Sequence, residues 1–180
     1  MPLGALDGAV WLDRLSRRLA RSEQRTQVRI ARDLLARCRS LTRQILELER
    51  ELHTHVQTLA PRLLELPGCG PLSAAKLLCE IGPINRFDSD AKLARHAGVA
   101  PLDASSGKHQ RHRLDRGSNR QLNCALHRIA VTQSRVHPPA RAYLERKQTE
   151  GKTRREAIRC LKRQLARVIF NTLKAELALT

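Results

Sequence analysis

The sequence predicts a mainly α-helical protein in which a long N-terminal helix of coiled-coil character precedes a helical domain. Three observations carry that prediction. Residues 12–59 contain neither Gly nor Pro, so no residue there interrupts a helix. Aromatic residues are limited to Trp11, Phe87, Tyr143 and Phe170, which leaves Leu, Ala, Ile and Val to fill a core of packed helices. Apart from a few residues around Ser105–Gly107, no apolar–polar alternation of the β kind is present, and no internal repeat is found. The expected division is residues 1–60 as the long helical segment and 61–180 as the domain.

Residues 1–11 carry no usable pattern. From about Leu12 to Leu59 a single helix is expected. Leu34, Leu41, Ile45, Leu48, Leu52, Val56 and Leu59 recur at steps that form one apolar stripe. Arg43, Glu47, Glu49, Arg50 and Glu51 form a mixed-charge face beside it. A narrow stripe on a long helix calls for a partner helix, in a coiled coil between copies or in a hairpin within one chain. Its seam-like width favours a homo-oligomer.

Pro61 ends that helix. In Leu66-Pro67-Gly68-Cys69-Gly70-Pro71 two glycines bracket one residue, and Pro71 suits the first helical position, where its missing N–H costs nothing. Ser73-Ala74-Ala75-Lys76-Leu77-Leu78 then supplies good helix formers. Residues 66–82 therefore read as helix, tight turn, helix. This resembles the helix-hairpin-helix of DNA-handling proteins, which grips the phosphodiester backbone without reading sequence. Backbone N–H groups at such a turn suit an anion, and phosphate above all. Gly68, Gly70 and Lys76 are candidate DNA-backbone contacts; the alternative is an ordinary helical corner that binds nothing.

Ile81-Gly82-Pro83 stops the second helix, and Asn85, Asp88 or Ser89 can cap the next, Asp90 to Ala97. Gly98 ends it, and Val99-Ala100-Pro101 is an extended exit. Residues 102–119 are polar and basic. Lys108, Arg111, Arg113, Arg116 and Arg120 stand against Asp115, as expected of a loop or short hairpin lying on a phosphate backbone. Ser118 or Asn119 can cap a helix whose inner face is Leu122, Ala125, Leu126, Ile129 and Ala130, ended by Val136-His137-Pro138-Pro139. A short helix, Ala140 to Gln148, is anchored by Tyr143 and Leu144. The last helix, about Thr153 to Leu177, turns Ile158, Leu161, Leu165, Val168, Ile169, Thr172 and Leu173 inward. Arg154, Arg155, Arg159, Lys162, Arg163 and Arg167 are expected outside.

Lys and Arg number 34 against 17 Asp and Glu, a formal charge of +17 that calls for a polyanionic partner. Double-stranded DNA is the first candidate, because single-strand binding by base stacking needs more aromatic residues. An RNA-binding basic protein is a less favoured reading. No long apolar run suggests a membrane span, and no signal peptide is recognised, so a cytoplasmic protein is expected. The five cysteines, Cys38, Cys69, Cys79, Cys124 and Cys160, include no C-x-x-C pair; they are expected to be reduced and mostly buried.

Three pieces stand in order: Leu66-Pro67-Gly68-Cys69-Gly70-Pro71; Ala97-Gly98-Val99-Ala100-Pro101 with Ser106-Gly107 after it; and Arg116-Gly117-Ser118-Asn119-Arg120-Gln121-Leu122. Together they resemble the C-terminal domain of the Piv-invertase-like insertion-sequence transposases, of the IS-one-ten and IS-one-sixteen kind, which include bridge-RNA-guided recombinases. The resemblance runs from about Leu59 to Leu173, and the upstream helix resembles that family's coiled-coil linker. It implies a serine nucleophile that attacks a DNA phosphodiester and is held as a phosphoserine link. Ser106 matches that position, with Ser105 as the alternative. A serine hydroxyl needs activation, and phosphoryl transfer needs its equatorial charge neutralised. Lys108, Arg111 and Arg113 are close enough in sequence to supply that charge.

The resemblance also implies an N-terminal domain bearing an Asp-Glu-Asp-Asp metal site. Asp7, Asp13, Glu23 and Asp33 are scattered and build no such cluster. The expectation is a truncated or split transposase with no metal or cofactor of its own, Mg2+ being needed only with the carboxylate domain. A guide RNA is a further candidate partner. The competing expectation is a non-catalytic helix-hairpin-helix DNA-binding protein.

Overall fold

The computed structural model describes residues 8–23, 25–103, 112–113 and 117–178. The chain divides into two compact units, Met1–Glu51 and Leu52–Thr180.

In the first unit the expected single helix is replaced by two, α1 (Ala9–Ala20) and α2 (Thr26–Leu59), the latter continuing into the second unit. They form an antiparallel hairpin. Arg39 of α2 donates to the Asp13 carboxylate at 2.5 Å and to the Leu12 carbonyl at 3.3 Å, and Arg32 donates to the Leu19 carbonyl at 2.7 Å. Leu12 and Leu35 are its buried apolar residues. The break needs no Gly or Pro. The Ser22 hydroxyl donates to the Arg18 carbonyl, and Glu23 takes up Arg25 through both backbone and side chain. Local polar bonds of this kind compete with helix continuation. The expected stripe remains largely uncovered: Leu34, Leu41, Ile45, Leu48 and Leu59 are exposed, whereas Val56 is buried in the second unit.

The second unit is built around α8 (Arg154–Leu177), against which α3 (Pro61–Leu64), α5 (Asp90–His96), α6 (Arg120–Val136) and α7 (Pro138–Thr149) all pack. Leu63, Leu77, Ile81, Leu93, Leu122, Leu126, Ile129 and Ile169 are among its fully buried side chains. The helix before the glycine turn is thus one turn of α3, and α4 (Pro71–Ile81) follows with Pro71 at its first position. Ser89 caps α5 by accepting from the Lys92 N–H, and Asn119 caps α6 by accepting from the Leu122 N–H. α7 starts at Pro138, ahead of the expected Ala140. Thr153 and Glu156 form a reciprocal capping box on α8.

Two short strands, β1 (Leu102–Asp103) and β2 (His112–Arg113), pair antiparallel with Leu102 opposite Arg113 and Asp103 opposite His112. The basic segment therefore has the base of a hairpin. Among the described residues no helix is long and apolar enough to cross a membrane.

Three expectations are corrected. Lys162, expected on the outside of α8, is buried at 6% exposure, while Val168, expected inside, is exposed. Lys162 lies four residues after Ile158 and four before Ala166, both buried, so helical periodicity carries it inward despite its charge. Of the five free cysteines only Cys69 is buried; Cys38, Cys79 and Cys124 are exposed.

Candidate nucleic-acid interface

The exit of α5 and the start of α6, about twenty residues apart in sequence, are held against each other. The Asn119 N–H donates to the His96 carbonyl at 2.9 Å. One turn on, the Asn123 side-chain amide donates to the carbonyls of Ala97 at 2.8 Å and Gly98 at 3.1 Å. Gly98, with φ of 64°, packs directly on Ser118. Two further helices brace the junction. Lys162 of α8 donates to Asn123 Oδ1 at 2.8 Å, and Asn119 donates to Glu80 of α4 at 2.8 Å. The Asn119 bond, with Lys76 3.3 Å away, holds the Glu80 carboxyl below its usual range. The residues that flank segment 99–117, Ala97 and Gly98 on one side and Ser118 and Asn119 on the other, are thus held together at one place.

Beside this junction lies an open recess lined by Lys92, Arg95, His96, Gly117, Ser118 and Asn119. Arg86 lies within hydrogen-bond distance of His96, at 3.2 Å, and Lys92 pairs with Asp88. Lys92 and Arg95 are exposed, as is Arg120 at the first position of α6. The recess therefore places cationic side chains next to the positive end of a helix, an arrangement that suits a phosphate.

Besides Arg120, the residues expected to form the site fall in three groups. Ser105, Ser106, Lys108, Arg111 and Arg116 lie outside the described residues. Arg113 lies in β2, opposite Leu102. Gly68, Gly70 and Lys76 belong to the turn and α4. Gly68 has φ of 78° and lies against Thr132 and the Ile129 carbonyl of α6, whereas among the described residues no atom stands within 4 Å of where a side chain at Gly70 would begin. The Gln133 amide donates to the Pro67 carbonyl at 2.8 Å and fixes the turn on α6. Lys76 is half-exposed and faces Glu80.

Asn123 and Lys162 are not evident as site residues in the sequence. Their only signal is position: Asn123 stands one turn beyond the Asn119 cap, and Lys162 falls within the apolar register of α8. Burial holds the Lys162 ammonium below its ordinary pKa, with Arg159 acting in the same direction. Burial, followed by the charge of Lys162, likewise lowers that of His127. Among the described residues no group of three or more His, Cys, Asp or Glu is arranged to hold a metal ion.

Fold and site together define a strongly basic helical domain in which the two flanks of a polar, arginine-rich stretch of sequence are held at a braced junction. Residues 60–145 match the family described as Transposase IS116/IS110/IS902. The chain is 37% identical over 134 residues to an uncharacterized 43.6 kDa protein of insertion element IS110 from Streptomyces coelicolor, covering 73% of this chain and 33% of that protein. It is 29% identical over 146 residues to an uncharacterized 44.8 kDa protein of element IS116 from Streptomyces clavuligerus, covering 79% of this chain and 36% of that one. It is also 30% identical over 118 residues to the pilin gene-inverting protein of Moraxella bovis, covering 64% and 37%. The chain spans about a third of the length of these relatives.

Proposed function

We propose that this chain acts in DNA transposition by site-specific recombination, as the DNA-binding and strand-joining portion of a serine-nucleophile transposase. The observation that carries the reading is the junction of Gly98, Asn119 and Asn123, which gathers both ends of the basic segment inside the region that matches the transposase family. Ser106, with Ser105 as the alternative, is the nucleophile. Its hydroxyl oxygen bonds to a backbone phosphorus as the bond to one deoxyribose oxygen breaks, and that oxygen leaves with a proton. Lys108, Arg111, Arg113, Arg116 and Arg120 neutralise the phosphate charge. Copies associate through the uncovered stripe of α2, and a guide RNA is a further partner.

Mg2+ is expected to act in a carboxylate-bearing domain, as the family resemblance implies. The test is a trapped adduct. The chain is incubated with a carboxylate-bearing domain of this family supplied as a separate chain, Mg2+, and duplexes tiled across the DNA flanking its own coding sequence. A covalent protein–DNA species is expected, lost in Ser106→Ala and kept in Ser105→Ala. Persistence of the adduct in Ser106→Ala moves the nucleophile elsewhere. Duplex binding with no adduct under any condition favours a non-catalytic DNA-binding module.

A further inference from the structure

We infer that Lys162 is a positioning residue whose role is to orient the Asn123 amide that ties together the two ends of segment 99–117. What the segment carries, Ser106 and its arginines, rests on the function proposed above; the tie itself rests on the hydrogen bonds.

Asn123 has one carbonyl oxygen and one NH2 group, and the two ends of its amide are similar in shape. At this junction only one orientation works. Ala97 and Gly98 both present backbone carbonyls, at 2.8 and 3.1 Å from Nδ2. A flipped amide would set an oxygen against two oxygens. Lys162 removes that alternative, because its ammonium, an obligate donor, requires Oδ1 on its own side at 2.8 Å. The side chain is 6% exposed and makes no ion pair with a carboxylate among the described residues. Burying an ammonium against a neutral amide costs stability, so its contribution is orientation. α8 also carries much of the core, so the junction is referenced to the helix against which α3, α5, α6 and α7 pack. Asn119 bonded to His96, and Gly98 packed on Ser118, complete a tie that holds only while the Asn123 amide faces correctly.

The experiment is hydrogen exchange of the whole chain, read peptide by peptide, together with thermal unfolding and duplex DNA affinity. Lys162→Met keeps length and removes the donor. It is expected to raise exchange in residues 97–103 and 117–123 by about tenfold and leave the centres of α6 and α8 protected. Its thermal midpoint should equal or exceed that of the parent. Duplex affinity should fall by about fivefold. Asn123→Ala should reproduce the exchange and affinity changes but with a lowered thermal midpoint, because it leaves the buried Lys162 ammonium without this acceptor, and the double variant should be no worse than Asn123→Ala alone. If Lys162→Met fails to fold, Asn123→Ala alone decides by the same measurement. Unchanged exchange in those two peptides, or a rise spread evenly through α6 and α8, overturns the inference. An adduct persisting in Ser106→Ala removes the nucleophile assignment without touching the tie.

Discussion

Gly98 and Ser118 are packed so closely that a methyl group added to Gly98 would overlap the Ser118 hydroxyl and stand 2.8 Å from its Cβ. The backbone at Gly98, with φ of 64°, also lies in the left-handed region that side chains avoid. Gly98→Ala is therefore expected to destabilise the chain by about 3 kcal/mol, combining backbone strain with a clash against a braced helix start. Urea unfolding should show a lower midpoint with an unchanged slope. A midpoint equal to the parent's would mean that Ser118 moves freely.

The two turn glycines should part company. Gly68→Ala forces a methyl to within 3.0 Å of Thr132 Cβ and 3.2 Å of the Ile129 carbonyl, at a positive φ. A loss of about 2 kcal/mol is expected, read by thermal unfolding. Gly70, at φ of −76°, has open space around it, so Gly70→Ala should cost under about 1 kcal/mol, the ordinary effect of losing a glycine cap. Gly70→Ala therefore isolates any effect of the turn on duplex DNA affinity from an effect on folding.

The uncovered stripe of α2 bears on assembly. Leu41 and Ile45 are 45% and 55% exposed, flanked by exposed Leu34 and Leu48. Sedimentation should find an assembly larger than one chain, and Leu41→Glu with Ile45→Glu should reduce it to the monomer without loss of helical signal. A monomeric parent would contradict the coiled-coil reading.

Much of the second unit was legible because its punctuation is local. Pro71, Ser89, Asn119 and Thr153 start helices where their side chains dictate, and the apolar registers of α6 and α8 follow the helical period. Legibility failed where the cause was long-range or faint. The reversal between α1 and α2 arises from polar side chains bonding to nearby backbone, a weak signal in an arginine-rich stretch. The Lys162–Asn123 bond spans 39 residues, and nothing in either residue's neighbourhood announces it. Basic character marked residues 102–119 as a candidate DNA-facing segment, but the grip on its ends was invisible until α5 and α6 were brought together.

Cys69 offers a pH test. Burial pushes its thiol up to about 11, from an ordinary value of 9.0. Between those values the unfolded chain loses this proton while the folded chain keeps it, so stability falls as pH rises through the window. The parent should lose about 2 kcal/mol there relative to Cys69→Ala, measured as the difference in unfolding free energy at each pH. At pH 8 a thiol reagent should modify exposed Cys38, Cys79 and Cys124 well before Cys69. Early modification of Cys69 would mean that the glycine turn opens in the native state.

That the basic segment grips a phosphate backbone is tested by the salt dependence of duplex DNA binding. Fluorescence anisotropy is measured for the parent and for a variant with Lys108, Arg111, Arg113 and Arg116 changed to Gln. The parent should bind tightly, with affinity falling steeply as salt rises. In the variant the slope of log affinity against log salt should be shallower by about 0.9 for each phosphate no longer neutralised, with the thermal midpoint unchanged. Equal affinities and equal slopes for the two proteins would contradict a DNA-binding role for the segment.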